Sequence, residues 1–147
     1  MAKSKARRDL AGVLIKGPHG YIMQRRDVKP GLIHPGRISV FGGRVEESDD
    51  SPKAAALREV KEETDLDLKI EDLEEAWVTT YQGQSFLADD ETVVYHIFLA
   101  ETDREDVKVF EGSGSYILPL DAKLSEHNIE PIIASGMYFY LKREQEG

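Results

Sequence analysis

The sequence predicts an α+β domain of the α/β/α sandwich type, with a mixed β-sheet between helices. Short segments rich in β-branched and aromatic residues, separated by Gly/Pro turns, predict the strands. A helix start at Ser51-Pro52 and a second helical pattern near the carboxyl end predict the two outer layers. The 147 residues, 40% of them hydrophobic, are enough for one core, and they predict a single domain over residues 1–147.

The first half of the chain contributes three predicted strands. "LAGVLIK" (10–16) and "YIMQRRD" (21–27) flank the turn "GPHG", which is typical of a hairpin. "RISVFGG" (37–43) is a third short strand that ends in glycines. We expect the basic residues 1–8 to be a flexible tail that leads into the first strand rather than a signal peptide.

The second half contributes the predicted helices and the remaining strands. Ser51 supplies a capping hydroxyl and Pro52 a first helical residue, so a helix is predicted from there to about Thr64. "EEAWVTTYQG" and "TVVYHIFLAE" are strands joined by the acidic segment "QSFLADDE", and "SYILPL" is the final strand. "IEPIIASGMYFYLKRE" predicts a terminal helix that begins near Pro131.

The composition excludes several classes of function. With no cysteine, disulfides and thiolate chemistry are excluded, and a reducing cytoplasm is the expected location. A net charge of -9 argues against a large nucleic-acid partner, because such partners are bound through Lys and Arg contacts to phosphates. No apolar run is long enough to span a membrane. A small phosphorylated ligand is still compatible with the charge, since local cations or a metal outweigh the global field.

Three carboxylates fall on one side of the predicted helix. At 100° per residue, Glu59, Glu62 and Glu63 share an arc of about 100°. A set of mostly apolar residues lies on the opposite arc and is predicted to face the core: Ala54, Leu57, Val60 and Thr64. Read from the helix alone, the acidic face is a solvated surface.

The preceding glycines favour a metal site over a solvated face. Gly42 and Gly43 allow a backbone to turn sharply and to approach a ligand without a Cβ in the way. A carbonyl from such a turn beside several carboxylates offers oxygen ligands suited to Mg²⁺ or Mn²⁺. The pattern therefore predicts a hard-cation site between this turn and the helix.

These residues resemble the Nudix box of the MutT-like pyrophosphohydrolases, G-x5-E-x7-R-E-U-x-E-E-x-G-U, where U is aliphatic. The segment "REVKEETDL" supplies the second half of the motif in register. The first half departs from it: counting back from Arg58 points to Asp50 for the loop acid, whereas counting from Gly43 points to Asp49. Asp65 stands at the position of the late glycine, and we expect a shifted helix end there.

The resemblance implies a Nudix fold, and it implies hydrolysis of a nucleoside diphosphate linked to another group by in-line attack of water with Mg²⁺ or Mn²⁺. Carried over to this sequence, it makes Glu59, Glu62 and Glu63 metal ligands, with the Gly43 carbonyl as a further one. Arg58 becomes the residue that orients the glutamates. The general base varies in this family: Glu59 is one candidate, Glu111 in "FEGSGSYILPL" is another acid and metal ligand, and the acids of "ADDE" (89–91) are a third.

Substrate contacts are implied less specifically. Arg25 and Arg26 end the second strand, where relatives use an arginine on phosphate, and strand alternation turns one inward and the other outward. Asn128 resembles a base-reading asparagine, although helix capping is the commoner role of such a residue. Trp77, Tyr81 and Phe86 are candidates for stacking on a base, but strand aromatics more often belong to the core.

The motif does not identify the substrate. A nucleoside triphosphate, including an oxidised one, and a nucleotide sugar are the two candidates. The alternative outside the enzyme class is a catalytically silent nucleotide sensor or scaffold, and a purely structural role for the acidic face is the third reading. Many relatives dimerise, so a homodimer is one option, but no stretch of this sequence predicts an interface.

Overall fold

The computed structural model describes residues 7–26, 36–82, 92–110 and 114–146. The strands in these ranges are β1 (Arg7–Lys16), β2 (Tyr21–Arg25), β3 (Ile38–Ser39), β4 (Phe41–Arg44), β5 (Glu74–Gln82), β6 (Thr92–Glu101) and β7 (Ser115–Leu118). The helices are α1 (Pro52–Glu63) and α2 (Pro131–Glu146), with short 3-10 turns at Ile70–Asp72 and Leu124–Glu126.

The strands form one mixed sheet. Its central pair is parallel, with β1 beside β6 from Arg7↔Thr92 to Lys16↔Glu101. The main order is β3-β2-β1-β6-β5, while β4 pairs with β1 and β7 pairs with β2. Apart from the central pair, these strand pairings are antiparallel. The mixed sheet predicted from the short strands is therefore confirmed.

Each face of the sheet is packed against one helix. Alternation along β1 sends Val13 to one face and Leu14 to the other, because successive strand side chains point in opposite directions. The first core cluster joins β1, β4 and β6 to α1, through residues such as Phe41 and Val60. The second joins β1, β2 and β6 to α2, through residues such as Met137. This arrangement confirms the α/β/α sandwich.

The packing of α2 shows the role of the tryptophan. Trp77 of β5 lies 5.4 Å from the ring of Tyr140 and belongs to the shell of the second core cluster. A Cβ added at Gly136 would collide with the indole nitrogen of Trp77. Trp77 is thus a packing residue that uses the missing side chain of a helical glycine, in line with the core alternative drawn from the sequence.

Several boundaries differ from the sequence-based predictions; β2 ends at Arg25 and β7 at Leu118, each two residues early. β1 begins at Arg7, inside the expected tail, because Arg7 and Arg8 continue the parallel ladder with β6. The segment "RISVFGG" is split at Val40, since β3 pairs with β2 whereas β4 pairs with β1. α1 ends at Glu63, one residue early, and Thr64 is extended.

In the part of the chain that the structure describes, no helix is both long and apolar enough to cross a membrane.

Candidate functional site

The start of α1 is set by its cap. Ser51 is extended, and its hydroxyl oxygen accepts a hydrogen bond from the backbone N of Ala54 at 3.0 Å. Pro52 occupies the first helical position, where its missing N–H leaves no internal bond unmade. The predicted cap is confirmed, and it fixes the rotation at which α1 presents its acidic residues.

The buried face of α1 matches the prediction only in part: Val60 and Thr64 are buried as predicted, but the face extends to Glu63. Its buried residues are Ala55, Ala56, Val60 and Glu63, whereas Ala54 and Leu57 are only partly buried. At 100° per residue, Ala55 and Ala56 flank Glu59 and Glu63 rather than oppose them. The small alanines let the helix approach the sheet closely, so the helix turns two of its three motif glutamates inward and only Glu62 outward.

The inward carboxylates meet the glycine turn. A Cβ added at Gly43 would lie 2.5 Å from Oε1 and 2.7 Å from the carboxyl carbon of Glu59. The Glu59 side chain is 15% exposed. Gly43 therefore makes room for the Glu59 carboxylate directly against the backbone of β4, as the predicted cation site requires.

Arg58 stands at the centre of the acidic cluster. Its Nε and Nη2 donate to the two oxygens of Asp49, each at 3.0 Å. Its Nη1 donates to Glu59 Oε1 at 3.1 Å and, more weakly, to Glu62 Oε1 at 3.4 Å. Nη2 also donates to the Arg44 carbonyl at 3.1 Å, which links the cluster to the end of β4. A guanidinium that binds this many oxygens orients the carboxylates around it.

Asp49, and not Asp50, pairs with the motif arginine. The Asp49 side chain is 7% exposed and also accepts the backbone N–H of Glu46 at 2.8 Å, whereas Asp50 is exposed. The hydrogen bonds from Arg58 are the main cause that lowers the pKa of Asp49, and the Glu46 amide adds to the effect. The same contacts with Asp49 raise the pKa of Arg58. Asp49 therefore occupies the loop position beside Arg58, and Asp50 is the extra residue of the loop.

The three motif glutamates have different environments. Glu62 is 54% exposed, Glu59 is largely covered, and Glu63 is 2% exposed. Among the residues that the structure describes, no three acidic or histidine side chains converge closely enough to hold a metal ion by themselves.

The two strand-end arginines point to different places, as alternation predicted. Arg25 is exposed, with its guanidinium carbon 5.1 Å from the centre of the Tyr116 ring. Arg26 is half-buried, and its Nε is buried without a hydrogen-bond partner among the described residues. Arg26 is therefore the inward-facing member of the pair.

Tyr95 is a buried polar residue near the motif that the sequence reading did not single out. It is 7% exposed, and its ring lies over Gly12. Burial is the largest cause that raises the pKa of its hydroxyl; Glu130, Tyr81 and Glu63 raise it further, and Arg26 opposes them. Residues from α1, β2 and the α2 side thus influence one buried hydroxyl.

Several predicted residues do not join this cluster. Asn128 is exposed, and its carbonyl accepts the Ile38 amide at 2.8 Å. It does not cap α2, because that helix begins three residues later, at Pro131. Glu111, the acids at 89–91 and Phe86 lie outside the described residues.

Asp65, at the position of the motif's late glycine, has a structural role. Its carboxylate accepts from Arg104 Nη2 at 2.8 Å and from the Lys108 amide at 2.9 Å. These contacts, with the Arg104 guanidinium as the first cause, lower the pKa of Asp65. The residue fastens the end of α1 to the segment that follows β6.

Sequence reasoning also missed two buried polar residues on the sheet. Gln24 is 8% exposed and Ser39 is 2% exposed, on strands whose other described residues are mostly buried and apolar. Their polar side chains within otherwise apolar strands could have identified them in the sequence, because buried polar groups normally need a hydrogen-bond partner.

The fold and this acidic, arginine-centred helix are those of the Nudix class. The NUDIX domain matches residues 6–128, and the chain therefore belongs to that family. This membership confirms the resemblance and the enzyme class expected from it, Nudix hydrolase; hydrolysis of pyrophosphate linkages is the general activity of the family. Among proteins of curated function, none matches the sequence significantly.

Solved structures agree on the fold. The MutT protein from Methanosarcina mazei Go1 has a TM-score of 0.78 at 19% identity, over 99% of this chain and 100% of that one. The NUDIX domain of Shewanella oneidensis NrtR, complexed with ADP ribose, has a TM-score of 0.69 at 16% identity, over 99% and 91% of the two chains. A bifunctional NMN adenylyltransferase/ADP ribose pyrophosphatase from Francisella tularensis, complexed with AMP and a Mn ion, gives 0.67 at 16% identity, over 97% and 43%.

Proposed function

We propose that the chain hydrolyses the pyrophosphate linkage of a nucleoside diphosphate joined to a further group, with a divalent cation bound beside α1. Glu59, Glu62 and Glu63 would supply carboxylate ligands, and the Gly43 carbonyl a further oxygen. Glu111 is proposed as an additional ligand from the segment before β7.

The observation that carries the proposal is the arrangement around Arg58. One guanidinium holds Asp49 with two parallel hydrogen bonds and reaches Glu59 and Glu62 with its remaining nitrogen. Gly43 lacks the side chain that would displace Glu59. Structural salt bridges do not need this combination, whereas carboxylates that bind a cation must be held in a set orientation.

The donor set fits Mg²⁺ or Mn²⁺, since every proposed ligand is an oxygen and Glu62 leaves one side open to solvent. When bound, such an ion would neutralise the pyrophosphate and lower the pKa of water in the site. The Mn ion in the Francisella structure supports this choice.

The chain's own residues orient and hold the reactants. Arg58 keeps Glu59 in place, and Glu59 is one candidate for the base that accepts a proton from the attacking water. Glu111 and the acids at 89–91 are the other two candidates. Arg26, whose buried Nε has no partner in the described part of the chain, is proposed to bind a substrate phosphate.

The substrate is proposed to be a nucleotide: a nucleoside triphosphate, an oxidised one or a nucleotide sugar. The ADP ribose and AMP bound in two structural neighbours support nucleotide chemistry in general. We propose a cytoplasmic location, in keeping with the absence of cysteine. Asn128 is proposed to contact the nucleobase. A homodimer is proposed as the oligomeric state.

The experiment is a phosphate-release screen over nucleoside triphosphates, oxidised nucleotides, nucleotide sugars and dinucleoside polyphosphates, with Mg²⁺ or Mn²⁺ and with excess EDTA. A pyrophosphatase or a phosphatase, chosen to suit the expected products, converts them to inorganic phosphate. Each reaction is repeated with Glu62→Gln and with the control Glu71→Gln, an exposed acid outside the cluster. We expect metal-dependent turnover that Glu62→Gln abolishes and Glu71→Gln preserves. Metal binding without turnover of any member would support the sensor instead.

A further inference from the structure

Three polar side chains form a row across the sheet. Gln24 on β2 lies directly opposite Ser39 on β3 and Ser115 on β7. Directly opposed residues of antiparallel strands project from the same face. Ser39, Gln24 and Ser115, which we call the polar row, therefore line one strip that crosses three strands.

The polar row lies on the α1 side of the sheet. Gln24 shares its face with Ile22, two residues earlier, and Ile22 belongs to the core cluster that contains Val60 of α1. Met23 faces the opposite way, into the cluster of α2. The polar row is thus on the face that also carries the acidic cluster.

Gln24 and Ser39 are buried, whereas Ser115 is exposed, so the polar row opens to solvent at β7. Gln24 is 8% exposed and Ser39 2%, yet neither side chain hydrogen-bonds to another residue within the described part of the chain. Two residues past Gln24, the Nε of Arg26 is buried and has no hydrogen-bond partner in the ranges that the structure describes. Because no described residue uses the hydrogen-bonding groups of the Gln24 and Ser39 side chains, the carboxamide and the hydroxyl are available to a polar ligand.

The distance to the acidic cluster suits one ligand that reaches both. Ser39, Phe41 and Gly43 follow one another on the same face, and Gly43 abuts Glu59. Four residues at about 3.3 Å each allow at most about 13 Å between the two ends, since the strand is interrupted at Val40. A nucleotide with its pyrophosphate beside Glu59 extends along this path toward the row.

We propose that the polar row is the subsite that reads the nucleobase of the substrate, with the carboxamide of Gln24 as the main contact. A carboxamide presents a donor and an acceptor side by side, and it pairs with the matching edge of a base. Ser39 and Ser115 are neutral and add hydroxyls, so the row favours a neutral polar group over a further phosphate. This inference rests on the proposed function, because it assumes a nucleotide whose pyrophosphate lies at the acidic cluster.

The first test measures binding without turnover. Isothermal titration compares AMP, GMP, CMP and UMP with ribose 5-phosphate, which has no base, in the wild type, Gln24→Met and Ser39→Ala. Methionine keeps the length and burial of the side chain and removes the amide. The matched control is Gln145→Met, an exposed glutamine of α2. Melting curves confirm that each variant is folded.

We expect the wild type to bind at least one nucleoside monophosphate about tenfold more tightly than ribose 5-phosphate, the advantage of about one good base contact. Gln24→Met should remove that advantage and leave ribose 5-phosphate binding unchanged, and Ser39→Ala should reduce it in part. If both folded variants keep the full base preference, or if Gln24→Met weakens ribose 5-phosphate equally, the assignment is wrong.

The second test separates this inference from the proposed reaction. Gln24→Met should lower kcat/KM for the preferred nucleotide about tenfold while cleavage of inorganic tripolyphosphate changes less than twofold. An equal loss on both substrates would contradict base reading. A wild type that cleaves nothing but binds bases through Gln24 would overturn the reaction and retain the subsite.

Discussion

Two arginine-centred clusters lie at α1, one on the helix and one just beyond its carboxyl end, and they bind different groups. Arg58, within α1, binds the side chains of Asp49, Glu59 and Glu62. Arg104, beyond the carboxyl end of α1, binds the Asp65 carboxylate and also the backbone carbonyls of Asp65 and Asp106. The first cluster gathers several carboxylates around one cation; the second uses one carboxylate and peptide oxygens.

The difference indicates different roles for the two clusters. Carboxylates gathered around Arg58 repel one another and are proposed to bind a cation, whereas backbone carbonyls bound by Arg104 hold two chain segments together. The side chain of Arg58 is 26% exposed and that of Arg104 is 37% exposed. We therefore expect changes at the first cluster to affect activity and changes at the second to affect stability.

The largest expected effect comes from Glu62→Gln. It removes one proposed ligand charge from the open side of the cluster, which should lower turnover by roughly two orders of magnitude or more. Because Glu62 is more than half exposed, the melting temperature should hold. Steady-state kinetics beside Glu71→Gln checks this. Glu63→Gln is less informative, since Glu63 is buried and its change would mix folding with catalysis.

Asp49→Asn tests which loop acid belongs to the site. Losing one of the charged hydrogen bonds that orient Arg58 should reduce activity about 10–100-fold, the usual effect of a residue that positions metal ligands. Asp50→Asn is the matched control and should stay within twofold of the wild type, because Asp50 is exposed. Equal losses in both variants would contradict the assignment of Asp49.

Arg104→Ala should show the opposite profile. It releases the segment that Asp65 fastens, and we expect a lower melting temperature, by about 4 °C at most, because the pair is partly exposed. Turnover at a temperature where the variant is folded should stay within twofold. A large loss of kcat with unchanged melting would show that the second cluster also serves the reaction.

The smallest expected effect is a pH dependence. Arg58 lowers the pKa of Asp49 and Arg104 lowers that of Asp65 in the folded protein. A carboxyl whose folded pKa is below its unfolded value, about 3.9, stabilises the fold fully above that value and loses the contribution as the pH falls through the folded pKa. The stability gap between wild type and Asp49→Asn should therefore be widest near neutral pH and shrink below about pH 4. Urea unfolding from pH 2.5 to 7 measures it, and a gap that widens in acid would contradict the pairing.

Local signals in the sequence predicted most of the fold. The Ser51-Pro52 cap, the Gly/Pro hairpin and the short apolar strands depend on neighbouring residues, and the structure has each of them. The split at Val40 was not predictable, because it depends on which distant strand each half pairs with.

The sequence motif predicted which residues belong to the candidate site, but not which of them are buried or how they pair. The angular positions along α1 predicted that Glu63 faces away from the core. In the structure, Ala55 and Ala56 pack against the sheet and Glu63 is buried with them. This orientation depends on how the helix docks on β1 and β4, which the sequence of the helix does not specify. The choice between Asp49 and Asp50 likewise required the path of the loop relative to Arg58. Gln24 and Ser39 were visible as polar residues, but their pairing needed the strand register.

The most direct test is Mn²⁺ binding followed by electron paramagnetic resonance in the wild type, in Glu59→Gln/Glu62→Gln and in Glu71→Gln, with no substrate present. If the carboxylates around Arg58 hold the catalytic cation, the wild type and Glu71→Gln should bind Mn²⁺ alike, and the double variant should bind it at least tenfold more weakly. Equal Mn²⁺ binding by all three folded proteins would contradict the placement of the metal beside α1.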